Sequence, residues 1–293
     1  MENVEACPIC KSKERSHYLD CKDYTVSRET FSIVSCSACG FKYTNPRPAD
    51  EELGAYYQSE DYVSHSNTSK GLINFLYQKV RKHTINQKLK QINSICKKGT
   101  LLDVGCGTGE FLNCCKGDGW QVQGIEPSQM AREFATSTYS LLVEGEDAIA
   151  SIADHAFDVI TLWHVLEHVP HLEQRVIDLK RLLKPEGVLL IAVPNHTSKD
   201  AQHYKQFWAA YDLPRHLYHF APSDISLLFS NHGFKPGAIL PMKWDPFYVS
   251  LLSEKYKTGK PRLISAFWQG IKSNLSAARR NNTYSSQIYI LRK

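Results

Sequence analysis

From Gly99 to the C-terminus, short apolar runs alternate with stretches whose apolar residues recur at helical spacing. The runs are TLLDVG, WQVQGIE, YSLLVEG, FDVITLWHV, GVLLIAVP, FKPGAILP and SQIYILRK; among them stand the helical GEFLNCCKGDG, PSQMAREFAT, LEQRVIDLKRLL and PSDISLLFSNHG. Strands alternating with helices predict βαβ units and an α/β fold: a mostly parallel sheet with helices on both faces. Two insertions break the pattern, at about 196–221 and 242–285. Upstream, residues 51–98 read as a helical linker or cap, with Leu72, Ile73, Leu76, Val80, Ile85, Leu89 and Ile92 at near-helical spacing and the lysines and arginines on the solvated face. Residues 1–50 show little helical period and end in the turn-rich YTNPRPAD, which marks them as a separate small module.

A length of 293 residues accommodates one full-sized domain and an appendage, and a 42% hydrophobic fraction is ordinary for a globular chain. The net charge of +5 is spread along the sequence, so it permits an anionic partner without requiring one. The N-terminal MENVEACPICKSKERS has no apolar core of signal-peptide length, and runs such as VLLIAV are too short to span a bilayer; a cytoplasmic protein without membrane contact is expected. Nine cysteines in a reducing compartment then need a reason other than disulfides. CPIC (Cys7, Cys10) and CSAC (Cys36, Cys39) are two CxxC turns 25 residues apart, and two such turns complete the closed tetrahedral site that structural zinc prefers. A zinc ribbon is expected, and the metal supplies folding free energy that so few large apolar residues lack. Cys21, Cys96, Cys106, Cys114 and Cys115 are expected to be small packed residues.

LLDVGCGTGEFL places Gly105, Gly107 and Gly109 where a buried strand turns into a helix, so the backbone can approach a ligand and present free amides. The sixth position of a dinucleotide-type GxGxxG is Glu110, which a pyrophosphate would meet badly. Glu126, 21 residues after Gly105, ends the next strand where an acid can accept hydrogen bonds from both ribose hydroxyls. With GIEPS, FDVITLWHVLEHV and LLKPEGVLLIAVPN following in order, residues 95–293 resemble the class I S-adenosylmethionine (SAM)-dependent methyltransferases. The resemblance implies a Rossmann-like seven-stranded sheet and a SAM site. In it Gly105, Cys106, Gly107 and Gly109 line the methionine and ribose, Asp103 lies near the amino group, and Glu126 holds the ribose diol. Pro127, Ser128 and Met130 would flank the adenine, Glu146 or Asp147 would meet the adenine amine, and Trp163 and His164 would stand beside the transferable methyl.

The acceptor side offers two histidine-rich stretches. LWHVLEHVPH puts His164 and His168 four apart on one face with Glu167 beside them; one reading is a metal site of mixed nitrogen and oxygen ligands, the other a Glu–His pair that ties the turn. YDLPRHLYHF follows the fifth strand, beyond the carboxyl end where α/β ligands sit. It resembles a segment of the sugar C-methyltransferases, in which His216 falls on the proposed base and Arg215 replaces a glutamate. An arginine there suits an anionic acceptor gripped by a guanidinium fork, with Trp208, Tyr211, Asp212 and His219 lining the same wall. The alternative is that Asp212 and Arg215 pair across the turn while His216 and His219 bond backbone carbonyls. His216 and His164 are the candidate catalytic residues.

The N-terminal ribbon followed by NPRPADEELGAYYQSEDYVSH resembles bacterial methyltransferases with a zinc-binding N-terminus, some of which act on nucleotide-linked sugars. The competing resemblance is to zinc-bearing ribosomal-RNA methyltransferases, against which the module's near balance of basic and acidic residues argues. The second insertion, basic and aromatic with KYKTGKPR and ARRNN, would lid the pocket or form a homodimer surface. The expected function is methyl transfer from SAM to a small anionic metabolite, a nucleotide-linked sugar or an aromatic acid or phenol. An RNA methyltransferase and a non-catalytic SAM-binding protein are the alternatives.

Overall fold

The computed structural model describes residues 1–57, 72–279 and 283–293, with side chains of the linker helix from Val80 onward. The N-terminal module is a small antiparallel sheet of β1 (Arg15–Lys22), β2 (Thr30–Cys36) and β3 (Lys42–Thr44). A short helix α1 (Asp50–Leu53) and the long linker helix α2 (Leu72–Ile95) follow. Ile92 of α2 is fully buried and joins Leu101, Phe111 and Trp120 in one apolar cluster, with Ile85 and Leu89 packed against it. The side chains of Leu72, Ile73 and Leu76, expected on the same face, lie outside the described residues.

The main sheet contains β4 (Thr100–Val104), β5 (Gln121–Ile125), β6 (Val143–Glu144), β7 (Phe157–Trp163), β8 (Leu183–Pro194), β10 (Lys235–Pro241) and β11 (Ser286–Arg292). Its order is β10-β11-β8-β7-β4-β5-β6, parallel throughout the β8-to-β6 portion, with β11 antiparallel to both its neighbours. This is the mostly parallel sheet expected from the alternating runs, in the Rossmann-like seven-stranded form that the resemblance implied. The central strands read as nearly continuous apolar runs because helices cover both faces; Val188 to Val193 of β8 are all buried. The helices are α3 (Glu110–Gly117), α4 (Gln129–Tyr139), α5 (Leu172–Leu182), α6 (Lys199–Tyr204) and α7 (Pro222–Asn231). Their ends are marked in the sequence. Ser128 accepts from the Ala131 amide at the start of α4, and α7 opens on Pro222 with the Asp224 carboxylate accepting from the Ala221 amide. YSLLVEG yields only the two-residue edge strand β6, with Leu142 left exposed.

The ribbon is not a separate body. Tyr218–His219 forms β9, which pairs antiparallel with β3, so the first insertion of the main domain supplies the fourth strand of the ribbon sheet. Phe41, Tyr43, Tyr218 and Phe220 stack across that seam at centroid distances of 5.5 to 6.2 Å. Cys7, Ile9, Val34 and Phe41 belong to the same apolar cluster as Leu162, Leu166 and Leu217. The opposite side of the ribbon, through Cys21, Phe31 and Ile33, packs on Tyr204, Trp208, Tyr211 and Leu213. A module too small for its own core therefore completes one by sharing that of the main domain.

The second insertion forms α8 (Asp245–Thr258) and α9 (Leu263–Arg279). They approach closely at Gly270, where an added Cβ would sit 2.6 Å from the Phe247 ring. The buried Asp200 carboxylate ties this insertion to α6 and β11, accepting from Trp208 Nε1, Ser273 Oγ and Ser285 Oγ. Among the described residues no helix is long and apolar enough to cross a membrane.

Candidate active site

The glycine turn follows from the close approach it must allow. Gly105, Gly107 and Gly109 take φ of 72°, 55° and 78°, a region that disfavours residues with a Cβ. A Cβ on Gly105 would stand 2.4 Å from Val165 Cγ2, so the turn after β4 and the turn after β7 touch backbone to side chain. Glu126, buried at the end of β5, accepts from the Gly107 amide at 2.8 Å through one oxygen and from the Ser128 amide at 2.9 Å through the other. Its burial raises its pKa. Pro127 leads into α4, and Met130 is 66% exposed on the first turn. Asp103 is buried in β4 and accepts from Thr161 Oγ1 at 2.6 Å; burial raises its carboxyl to about 7 in spite of that bond and of nearby Lys88. Cys106 is half-buried beside Gly124. Glu146 is ion-paired with Arg175, whereas its neighbour Asp147 is exposed.

At the carboxyl end of β7 the Trp163 ring packs edge-on to Phe111 at 5.5 Å, and its indole nitrogen has no partner among the described residues. Lys88 of α2 reaches over that ring, its Nζ 4.3 Å from the centroid, and burial lowers its pKa to about 8. His164 takes a left-handed φ of 57° and is held on both nitrogens, Nδ1 facing Glu167 Oε1 at 3.4 Å and Nε2 facing Asp245 Oδ2 at 3.2 Å. Burial alone would lower its pKa, but the two carboxylates raise it to about 9. Both His164 nitrogens therefore face carboxylates of the protein, and neither is turned to an acceptor.

The stretch Tyr211–Phe220 crosses this end of the sheet. Its arrangement is the alternative in which Asp212 and Arg215 pair. Arg215 is 3% exposed, and Nε and Nη2 meet both Asp212 oxygens, at 2.9 and 2.6 Å. Nη2 also reaches Asp23 Oδ1 and Thr25 Oγ1, both at 3.0 Å, and Nη1 donates to the Tyr56 carbonyl. The fork expected to grip a substrate anion is thus committed to the ribbon hairpin. Trp208 and Tyr211 are likewise buried, the first on Asp200 and the second edge-on to Trp208 and His219. His219 contacts Thr44 Oγ1 at 3.2 Å rather than a carbonyl. These residues build the wall from inside; aromatic rings and a guanidinium are as much at home in a packed core as in a pocket, and only the buried neighbours distinguish the two. His216 differs: its Nδ1 lies 2.9 Å from the Ala210 carbonyl, and its ring meets that of His168 edge-on at 4.5 Å.

Sequence reasoning missed Asp23, Lys88 and Asp245. The dipeptide Asp245–Pro246 signals a helix start, yet nothing local says that its carboxylate, in the second insertion, will face His164.

The four ribbon thiols converge. Cys7 and Cys39 Sγ lie 3.6 Å apart and Cys10 and Cys36 Sγ 3.5 Å apart, and all four fall within 4.8 Å of one another. Tetrahedral ligands at about 2.3 Å from zinc stand about 3.8 Å apart, so the set fits a zinc site made of four cysteine thiolates.

Residues 77–237 match the family described as Methyltransferase domain. A ubiquinone biosynthesis O-methyltransferase of Vibrio cholerae is 31% identical over 122 residues, 39% of this chain and 49% of that protein. Its counterpart in Pasteurella multocida is 33% identical over 126 residues, 38% of this chain and 52% of that protein. The match thus spans about half the length of these curated relatives. Among solved structures, a SAM-dependent methyltransferase from Archaeoglobus fulgidus has a TM-score of 0.51 at 20% identity, covering 75% of this chain and 99% of that one. The cyclase SpnF reaches 0.54 at 17% identity, covering 85% of this chain and 98% of that one, so the shared fold alone does not fix a reaction. The family match, the strand order and the glycine turn with its following acid together identify the chain as a class I SAM-dependent methyltransferase.

Proposed function

We propose that the acceptor is a small molecule methylated on a hydroxyl oxygen, and that a structural zinc ion in the Cys7–Cys10–Cys36–Cys39 cluster holds the wall of its site. SAM supplies a methyl group made electrophilic by the sulfonium. The chain's own residues bind it, exclude water and remove the acceptor's proton. Asp103, Gly105 to Gly109 and Glu126 fit the methionine and ribose; Ser128 and Met130 fit the adenine rim. Asp147 suits the adenine amine better than Glu146, which Arg175 already neutralises.

The observation that carries the reading is the state of His216. A carbonyl only accepts, so Nδ1 carries the proton it gives to Ala210, and Nε2 keeps a lone pair able to take another. His164, with both nitrogens occupied by Asp245 and Glu167, orients this end of β7 rather than acting as base. Hydroxyl chemistry is supported by the relatives named O-methyltransferases. With Arg215 committed to Asp212 and Asp23, a phenol is a better candidate than an anionic nucleotide sugar.

The test is transfer of a labelled methyl from SAM to phenols, aromatic acids, nucleotide-linked sugars and RNA. Label on a phenolic oxygen is expected. Label on RNA or on carbon, or none on any hydroxyl compound while SAM binds, would overturn the reading.

A further inference from the structure

Glu167, His168 and His216 form a second cluster apart from the cysteines. One ligand atom from each lies within 4.8 Å of those of the other two. The Glu167 side chain is completely buried, and neither carboxylate oxygen has a hydrogen-bond partner among the described residues. The nearest cation, His164 Nδ1 at 3.4 Å, lacks hydrogen-bond alignment. Buried carboxylates are normally paired or bound to a metal, and one whose single ion pair brings no hydrogen bond still calls for an explanation.

The imidazoles supply it. His168 Nδ1 lies 3.1 Å from the Arg215 carbonyl and 2.9 Å from the Tyr57 hydroxyl, and His216 Nδ1 lies 2.9 Å from the Ala210 carbonyl. The Ala210 carbonyl, which only accepts, keeps the His216 proton on Nδ1 and leaves Nε2 as a lone-pair donor; at His168 the Arg215 carbonyl favours the same tautomer, with the Tyr57 hydroxyl oxygen accepting from the same N–H. The two ligand-bearing segments are tied together where the Leu217 amide donates to the Glu167 carbonyl at 2.8 Å. Ligand atoms at about 2.1 Å from a common centre stand about 3 to 3.5 Å apart, so the present spread of up to 4.8 Å contracts when an ion is bound.

We infer that Glu167, His168 and His216 bind a divalent cation of the Mn2+, Fe2+, Co2+ or Zn2+ class. Two imidazoles and one carboxylate suit those ions, and three protein ligands leave positions open. Resting on the O-methyl reading, an acceptor hydroxyl would take an open position and lose its proton there, the bound cation replacing the free lone pair of His216 as the activating group. Binding of the ion itself does not depend on that reading.

The experiment uses the full chain with zinc retained in its cysteine site, titrated with Mn2+ while the free-ion paramagnetic signal is followed. Thiolate sites disfavour Mn2+, which keeps the two sites apart. One Mn2+ bound per chain is expected, with affinity falling at least about tenfold in Glu167→Gln and in His168→Asn. His171→Gln, which removes an exposed imidazole on Asp50, should bind as wild type. If either ligand variant fails to fold, the wild-type titration still decides: no saturable Mn2+, Co2+ or Zn2+ beyond the cysteine zinc overturns the site. Binding that survives both ligand variants overturns it equally. Methyl transfer to a phenol that persists without any bound ion sinks the cation and leaves the O-methyl reading; a bound ion without transfer to any hydroxyl sinks that reading and leaves the site.

Discussion

Burial reverses the usual behaviour of the acid on the cofactor side. Asp103 has its carboxyl raised to about 7 chiefly because no water solvates it, with the Thr161 hydroxyl and Lys88 only partly offsetting the effect. As pH falls through that value the group takes a proton and ceases to attract a ligand ammonium. SAM affinity should therefore weaken below about pH 7, by up to tenfold per unit, and calorimetry from about pH 6 to pH 8 should show a flat, weaker profile in Asp103→Asn. On the acceptor side, His216→Ala should lower turnover by about a hundredfold or more while calorimetric SAM affinity stays intact; unchanged turnover would remove His216 from the chemistry. Both residues stood out in the sequence, one before a glycine turn and one in an aromatic, histidine-rich stretch. Asp245 did not, because a carboxylate acquires meaning only from what the fold sets against it.

At the scale of elements, the joint between ribbon and main domain is a strand pairing and a strut. β9 closes the ribbon sheet at Lys42↔His219 and Tyr43↔Tyr218, and Arg215 bridges Asp212 to Asp23 at the tip of the β1–β2 hairpin. Asp23 is itself held by the amides of Thr25, Val26 and Ser27. Removing one partner strands a buried charge, so Arg215→Ala or Asp23→Ala should each cost about 3 to 5 kcal/mol in denaturant unfolding. Non-additivity in the double variant would measure the strut itself. The i, i+3 spacing of Asp212 and Arg215 is legible locally. The pairing with Asp23 is not, nor is the two-residue β9, too short to carry a period of its own.

For the whole molecule, the shared core makes the ribbon part of the proposed acceptor wall. Thr44 Oγ1 donates to the His216 carbonyl at 2.7 Å, so the backbone of the candidate base hangs on the ribbon, whereas the glycine turn belongs to β4 and β5. Stripping the proposed zinc with a chelator, or Cys36→Ser, should abolish methyl transfer while leaving calorimetric SAM binding largely in place; equal loss of both would show that the two halves fold as one unit. The chain by itself determined the parallel sheet, the cofactor turn and the two CxxC turns, since each rests on local periodicity or on residues a few positions apart. Only the tertiary structure decided that Arg215 faces Asp23, that Asp245 faces His164 and that Glu167, His168 and His216 meet around one point. Those contacts join segments far apart in sequence, and burial, which makes a charge either a strut or a ligand, exists only once the segments have packed.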